Sequence, residues 1–361
     1  MTQKNQLKIN RLLLLSTIYN TLHIGTKNTA YPLSQRKERP SAALCLIILS
    51  TVLSMLFPIV AHSVEITPNT QEVPLGKHLV YFEDIDSQYS IEQIRQPEFQ
   101  KHFIVSTDHV LNFGHSNATI WLRFELTTPT PGADTKEQEW MLELAFATLE
   151  VVTLYEQQKT NEVFTPRAIG YENAISTREI PHNNFIFPLT IKPGDSNVYY
   201  MEVSRKGGTV QIPLTLYSAR QFLTQDASAQ YITGIYYGCI FAMILYNFFL
   251  MLSIGGRAYL YYILYIGGLA ATFLCMSGYG FLYLWPEYPE VNQRSAQLVS
   301  TFGVIMGLFF VRHFVKVKRY TATGNKILTS LIWIGSAIFV SIVIIPTFHS
   351  MANVLFANVA S

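Results

Sequence analysis

Residues 231–253 read YITGIYYGCIFAMILYNFFLMLS and contain no Asp, Glu, Lys or Arg. A helix needs about 20 such residues to cross the hydrocarbon of a bilayer. Lipid offers no water to the backbone amides, so a stretch of this kind crosses as a helix. Residues 258–286 and 295–311 are also uncharged, as is everything from 327 to 361. The expected spans are about 231–253, 258–286, 295–314 and 327–348. Pro346 and the pair His349 and Ser350 mark the outer end of the fourth, and a fifth begins at 351.

Charge orients these spans. Residues 312–326 hold Arg312, Lys316, Lys318, Arg319 and Lys326 with no acid, whereas residues 287–294 hold Glu287, Glu290 and Arg294. Positive charge favours the cytoplasmic side, so Arg312, Lys316, Lys318 and Arg319 form a cytoplasmic coupling loop. Counting back along the helices leaves residues 64–230 outside. The N-terminal part agrees independently. Residues 36–64, RKERPSAALCLIILSTVLSMLFPIVAHSV, set basic residues before an apolar run and place Ala61 and Ser63 ahead of a cut before Val64. That is the layout of a signal peptide over 41–63, and an uncleaved anchor helix is the alternative. Residues 1–40 are a leader that carries no further reading. The implied location is a bacterial inner membrane, multi-pass, with residues 64–228 in the periplasm or outside.

Over residues 64–230 there are 12 Lys and Arg against 21 Asp and Glu, a formal charge of −9. Such a surface repels polyanions and excludes nucleic acid as a partner. Cys45, Cys239 and Cys275 all fall in apolar runs, so this segment has no internal disulfide and rests on an apolar core. Its hydrophobic pattern has period two. In IWLRFEL, residues 120–126, Ile120, Leu122, Phe124 and Leu126 share one face, and Trp121, Arg123 and Glu125 the other. WMLELAF, VVTLYE, FIFPLTI and NVYYMEV are further short strands, divided by turn-rich pieces such as KPGDSN. SIEQIRQPEF, residues 90–99, is the one short helix. The expected fold is an all-β jelly roll or sandwich over 64–228, followed by an α-helical transmembrane bundle over 229–361.

The order of these motifs resembles the bacterial seven-transmembrane receptors with diverse intracellular signalling modules, over roughly residues 75–345. LVYFEDID, LNFGHSNATIWLRFEL, EWMLELAFATLEVVTLYE, FPLTIKPG and YYMEV carry it first. The junction Leu245-Tyr246-Asn247 through Arg257-Ala258-Tyr259-Leu260 and the segment GYGFLYLWPE follow. The resemblance implies an extracellular jelly roll similar to carbohydrate-binding modules, seven helices and a cytoplasmic diguanylate cyclase or histidine kinase. This sequence reaches Ser361 with four helices complete, and the expectation is a fragment or a truncated gene product. No Gly-Gly-Asp-Glu-Phe loop, Walker-type cradle or kinase signature is present in it, so no enzyme activity is expected.

Other chemistry finds little support. His102, His109 and His115 have no standard ligand spacing, so neither metal nor cofactor is expected. Glu83, Asp84 and Asp86 are neighbours in one strand and read as a solvated acidic edge rather than a glycosidase pair. Trp121 and Arg123 project together from one strand face, where an indole plane beside a guanidinium suits a sugar or a carboxylate. The plainer alternative is that a second layer covers this face. Trp140 and Tyr199 join them as candidate ligand-binding residues, with the same ambiguity. Asn247 is the notable polar group in the first helix and is expected to bond to a neighbouring helix. The partners anticipated are a small-molecule or carbohydrate ligand, membrane lipid and a cytoplasmic signalling partner, with a homodimer left open. The leading function is a membrane sensory receptor, and the alternative is a stand-alone membrane-anchored binding or scaffolding protein.

Overall fold

The computed structural model describes residues 63–67, 69–129, 138–157 and 164–344. The signal peptide, the leader and the fifth span at 351 lie outside the described residues.

Thirteen strands are described: β1 Val64–Glu65, β2 Glu72–Pro74, β3 Val80–Asp84, β4 Ile104–Val105, β5 Leu111–Ser116, β6 Thr119–Thr127, β7 Gln138–Leu144, β8 Val151–Gln157, β9 Phe164–Ile169, β10 Phe185–Ile191, β11 Ser196–Ser204, β12 Gly208–Ile212 and β13 Leu214–Ser218. One sheet runs β4-β3-β6-β11-β8-β9, with β1 parallel to β6; a second runs β10-β7-β13-β2, and β5 pairs with β12. Apart from β1, all of these pairings are antiparallel.

The period-two pattern decides which side faces in. Ile120, Leu122, Phe124 and Leu126 of β6 are fully buried and meet Trp140, Leu142 and Leu144 of β7, Phe185, Phe187 and Leu189 of β10, and Leu214 and Leu216 of β13. Burying side chains of this size contributes about 1.5–3 kcal/mol each, so the inner faces of the two sheets, not a cross-link, hold the sandwich together.

One short helix, α1 Ile91–Ile94, follows β3; Ser90 and Gln93 close its first turn as a reciprocal capping box. The chain from Ser90 to Phe103 then lies across the outer side of the first sheet. Ile94 and Phe103 bury themselves there against Val80, Trp121 and Tyr200.

Four apolar helices follow. The first, α2, spans Ala219–Ile254 without interruption, capped by Ser218, whose hydroxyl accepts from the Gln221 amide at 3.3 Å. At 1.5 Å per residue its 36 residues measure about 54 Å, well beyond the ~30 Å of hydrocarbon. The helix therefore begins twelve residues before the expected start at 231. The expected span 258–286 is instead two helices, α3 Arg257–Met276 and α4 Tyr279–Tyr283. Gly278, at φ +80, takes the left-handed conformation that ends α3. Next, α5 runs Pro289–Phe314, six residues earlier than expected, because Pro289 fits the first turn of a helix. The one-turn α6 Val317–Tyr320 and then α7 Ala322–Ile344 complete the described chain.

The crossing of α3 and α5 is closest at two glycines. A Cβ on Gly268 would lie 2.8 Å from the Gly303 Cα, so only small residues permit this backbone approach. Gly267, next to it, has nothing within 4 Å of its Cβ position. We expect Gly268→Val to lower the Tm of the detergent-purified chain by several degrees and Gly267→Val to leave it unchanged. Equal effects at the two positions would show that this crossing does not hold the bundle.

Candidate functional site

The four residues singled out as ligand contacts do not form one site. Trp140 and Tyr199 point into the core, at 1% and 0% exposure. Tyr199 stacks on Phe124 at 5.3 Å, and each lies on the inward side of its strand's alternation. Trp121 and Arg123 do share the outer face of the first sheet, but Trp121 is only 2% exposed because the chain from Ser90 to Phe103 covers it. That is the plainer of the two alternatives for this face, a layer lying over it, and the strand pattern of β6 does not say which segment supplies the layer.

That outer face still holds polar groups in unusual surroundings. Trp121 Nε1 and Arg123 Nε are buried with no hydrogen-bond partner among the described residues. Glu202 pairs in register with Trp121 and accepts from the Tyr155 hydroxyl at 3.0 Å. Burial raises the Glu202 carboxyl above its ordinary range, opposed by the Tyr155 bond and reinforced by Asp84. Burial beside Glu202 also pushes Tyr155 up, and its ring lies 5.9 Å from that of Trp121. Gln100 Nε2 donates to the Ile94 carbonyl within the covering layer at 2.9 Å and ties the layer to the sheet through the Tyr200 hydroxyl at 3.2 Å.

A second polar arrangement, which sequence reasoning missed, lies where the sandwich meets the helices. Phe222 of α2 packs with Ile186 and Tyr217. Four residues on, Asp226 Oδ1 lies 3.1 Å from His182 Nε2. The His182 Nδ1 accepts the Asn184 amide at 3.1 Å, so Nε2 carries the proton and donates to Asp226. A further set of bonds joins this loop to the turn between α3 and α5. Asn183 Nδ2 donates to the Ser277 carbonyl at 2.9 Å, the Ile175 amide to the Pro286 carbonyl at 2.9 Å, and the Ser176 hydroxyl to Glu287 at 2.9 Å.

Arg178 is the centre of this joint. At 5% exposure its guanidinium lies 4.9 Å from the Phe185 ring of the sandwich and 5.7 Å from the Phe281 ring of α4. Its terminal nitrogens donate to the His182 and Gly170 carbonyls, and Nε has no partner. Burial lowers its pKa to about 10. A desolvated cation between two aromatic faces is held by ring quadrupoles and backbone dipoles, so it joins the two halves more tightly than a solvated surface contact.

Asn247 bonds back along its own helix, to the Met243 carbonyl at 2.8 Å. Its own preceding turn supplies that acceptor, and the expected cross-helix bond is not seen among the described residues. The residues from 312 onward are not one loop. Arg312 ends α5 and donates to Asn325 of α7 at 3.1 Å, Lys316 turns the chain, and Lys318 and Arg319 lie in α6. His115 lies 3.2 Å from the Thr209 hydroxyl, His102 sits among Phe82 and Phe99, and among the described residues no His, Cys, Asp or Glu cluster has metal-holding geometry.

Comparison with family models matches residues 76–218 to 7TMR-DISM extracellular 2 and residues 229–361 to 7TM diverse intracellular signalling. No curated protein matches the chain. The first match ends on the cap of α2 and the second begins ten residues inside it.

Two outcomes test this geometry. A side chain at Gly278 would bring its Cβ to 2.4 Å from the Asn183 carbonyl oxygen, in a left-handed backbone. We expect Gly278→Val to cost about 2 kcal/mol or more and to speed limited proteolysis within residues 174–184. Glu202 gives a pH signature. With its folded pKa raised above 4.5, its contribution to stability is complete below that value and is lost as pH rises through the raised one. Glu202→Gln is therefore expected to have a higher Tm than wild type at pH 7.5, with the gap closing as the pH approaches 4.5.

Proposed function

The chain belongs to the seven-transmembrane receptors with diverse intracellular signalling, and on that premise we propose that its sandwich binds a small molecule or carbohydrate and its helices pass the change to a cytoplasmic output module. It is a membrane protein with an extracellular domain, and both matched domains are of sensory receptor type rather than catalytic. The observation that carries the proposal is α2. It starts on the last strand of the sandwich and continues without a break into the apolar run, so a movement of the sheet is a movement of the membrane helix.

The ligand is placed on the outer face of the first sheet. Trp121, Tyr155 and Tyr200 offer ring faces, Glu202 a carboxyl and Arg123 a guanidinium, groups that pair with hydroxyls or with an anionic substituent. Binding there changes how the covering layer from Ser90 to Phe103 sits on the sheet. That change couples to the helices only if the ligand prefers one arrangement of the joint over another. The membrane is proposed to be a bacterial inner membrane, with the end of α5 on the cytoplasmic side. Glu287 touches the sandwich through Ser176. The basic residues from Arg312 onward lie at and beyond the other end of the 26-residue α5, which is about 39 Å long.

Titration of the purified chain with a panel of sugars and small carboxylates, followed by tryptophan fluorescence and thermal shift, tests the binding half. Arg123→Ala is expected to weaken the response about tenfold or more, the value of a charge-assisted hydrogen bond, without lowering the Tm of the unliganded protein. No response from wild type, or an unchanged one in Arg123→Ala, would remove this site. For orientation, a reporter enzyme fused after Lys318 is expected to be active on the cytoplasmic side alone.

A further inference from the structure

The end of the bundle remote from the sandwich carries a second binding surface. Only seven residues separate α5, which ends at Phe314, from α7, which begins at Ala322. Within them Lys316 adopts a left-handed turn at φ +49, and Val317–Tyr320 make a single helical turn. A connection this short and this folded cannot leave the headgroup layer, because both its ends are tied to membrane-crossing helices.

Two kinds of side chain around this connection bear on lipid. Lys316, Lys318 and Arg319 are exposed cations, Arg312 sits half-buried beside them, and no Asp or Glu occurs anywhere after Glu290. Phe314 and Tyr320, at 67% and 75% exposure, flank them. Aromatic rings at headgroup depth favour the interface. Each Lys or Arg near an anionic leaflet contributes about 1 kcal/mol of attraction. At the depth to which the turn is confined, lipid phosphate supplies countercharge.

We propose that this turn is a clamp for anionic phospholipid, one that fixes the cytoplasmic ends of α5 and α7 against the membrane. It rests on the proposed orientation only for which leaflet supplies the lipid. Confinement and charge complementarity are properties of the turn itself. In a receptor whose α5 begins at the ligand-bearing side, a fixed far end makes displacement at the joint a tilt of the helix rather than a slide.

Native mass spectrometry of the full chain, released from detergent with equimolar phosphatidylglycerol and phosphatidylcholine, tests the clamp. Wild type is expected to retain phosphatidylglycerol about tenfold over phosphatidylcholine or better, and to lose the preference at high salt. The triple variant Lys316→Gln, Lys318→Gln, Arg319→Gln is expected to fall to near parity with its Tm unchanged. Lys77→Gln with Lys101→Gln, exposed cations of the sandwich, is expected to keep the wild-type ratio. No preference in wild type, or one that survives the triple substitution, overturns the proposal. A lipid preference that behaves as expected while a reporter after Lys318 reads the outer side would sink the orientation and leave the clamp standing.

Discussion

The continuity of α2 is the constraint on which the rest of the molecule depends. Ser218 is at once the last residue of β13 and the cap of a 36-residue helix, so no flexible linker separates the sheet from the membrane run. A Gly- or Ser-rich linker of the same length would let the two parts reorient independently. Here the first turns of α2 are pinned through Phe222, packed with Ile186 and Tyr217, and through Asp226 against His182. The sandwich therefore cannot tilt without tilting α2.

A single rigid attachment would move the whole bundle with the sandwich and send no signal through it. The joint at the α3–α5 turn changes this, because it gives the sandwich a second grip on a different part of the bundle. Arg178 reaches the bundle through the Phe281 ring, Asn183 through Ser277, and Gly278 allows the approach because it has no side chain. On the proposed receptor reading, a rotation of the sandwich with two grips would push α2 and α3 by different amounts. The Gly268 and Gly303 crossing holds α3 against α5 and extends the displacement to the helix that leads to the basic turn. The polar character of the joint matters here. Aromatic and carbonyl contacts to a buried guanidinium are directional, so they have discrete arrangements, as a switching element requires.

The broad architecture was readable from the sequence for reasons that are local. Period-two alternation in residues 120–126 placed Ile120, Leu122, Phe124 and Leu126 on the core side, where they are buried. Uncharged runs marked the four apolar helices, since hydropathy is a sum over neighbours in sequence. What failed was non-local. For Trp121 the sequence left a solvent face and a covered face both open, because alternation says which side of a sheet a residue takes and nothing about what lies over that side. The joint was invisible for the same reason: Arg178 and Phe281 are about a hundred positions apart, and their meeting is a property of the assembled fold. One signal was available and unused. Ser277-Gly278 inside an uncharged run is a helix stop, and it would have divided the span 258–286 correctly.

The covering layer over Trp121 bears on where binding energy would come from. A buried indole N–H without an acceptor is destabilising by roughly 1–3 kcal/mol relative to a satisfied one, and Trp121 Nε1 is such a group. The layer above it is held by apolar contacts from Ile94 and Phe103 and by the bond from Gln100 to the Tyr200 hydroxyl. A ligand hydroxyl or carboxylate that reached Trp121 would remove a penalty already present in the unliganded fold while displacing few polar contacts. On the proposed reading, the donor left unmet beneath the cover is a group that a bound ligand satisfies and the free fold does not, and a difference of that kind is what a receptor must convert into helix movement.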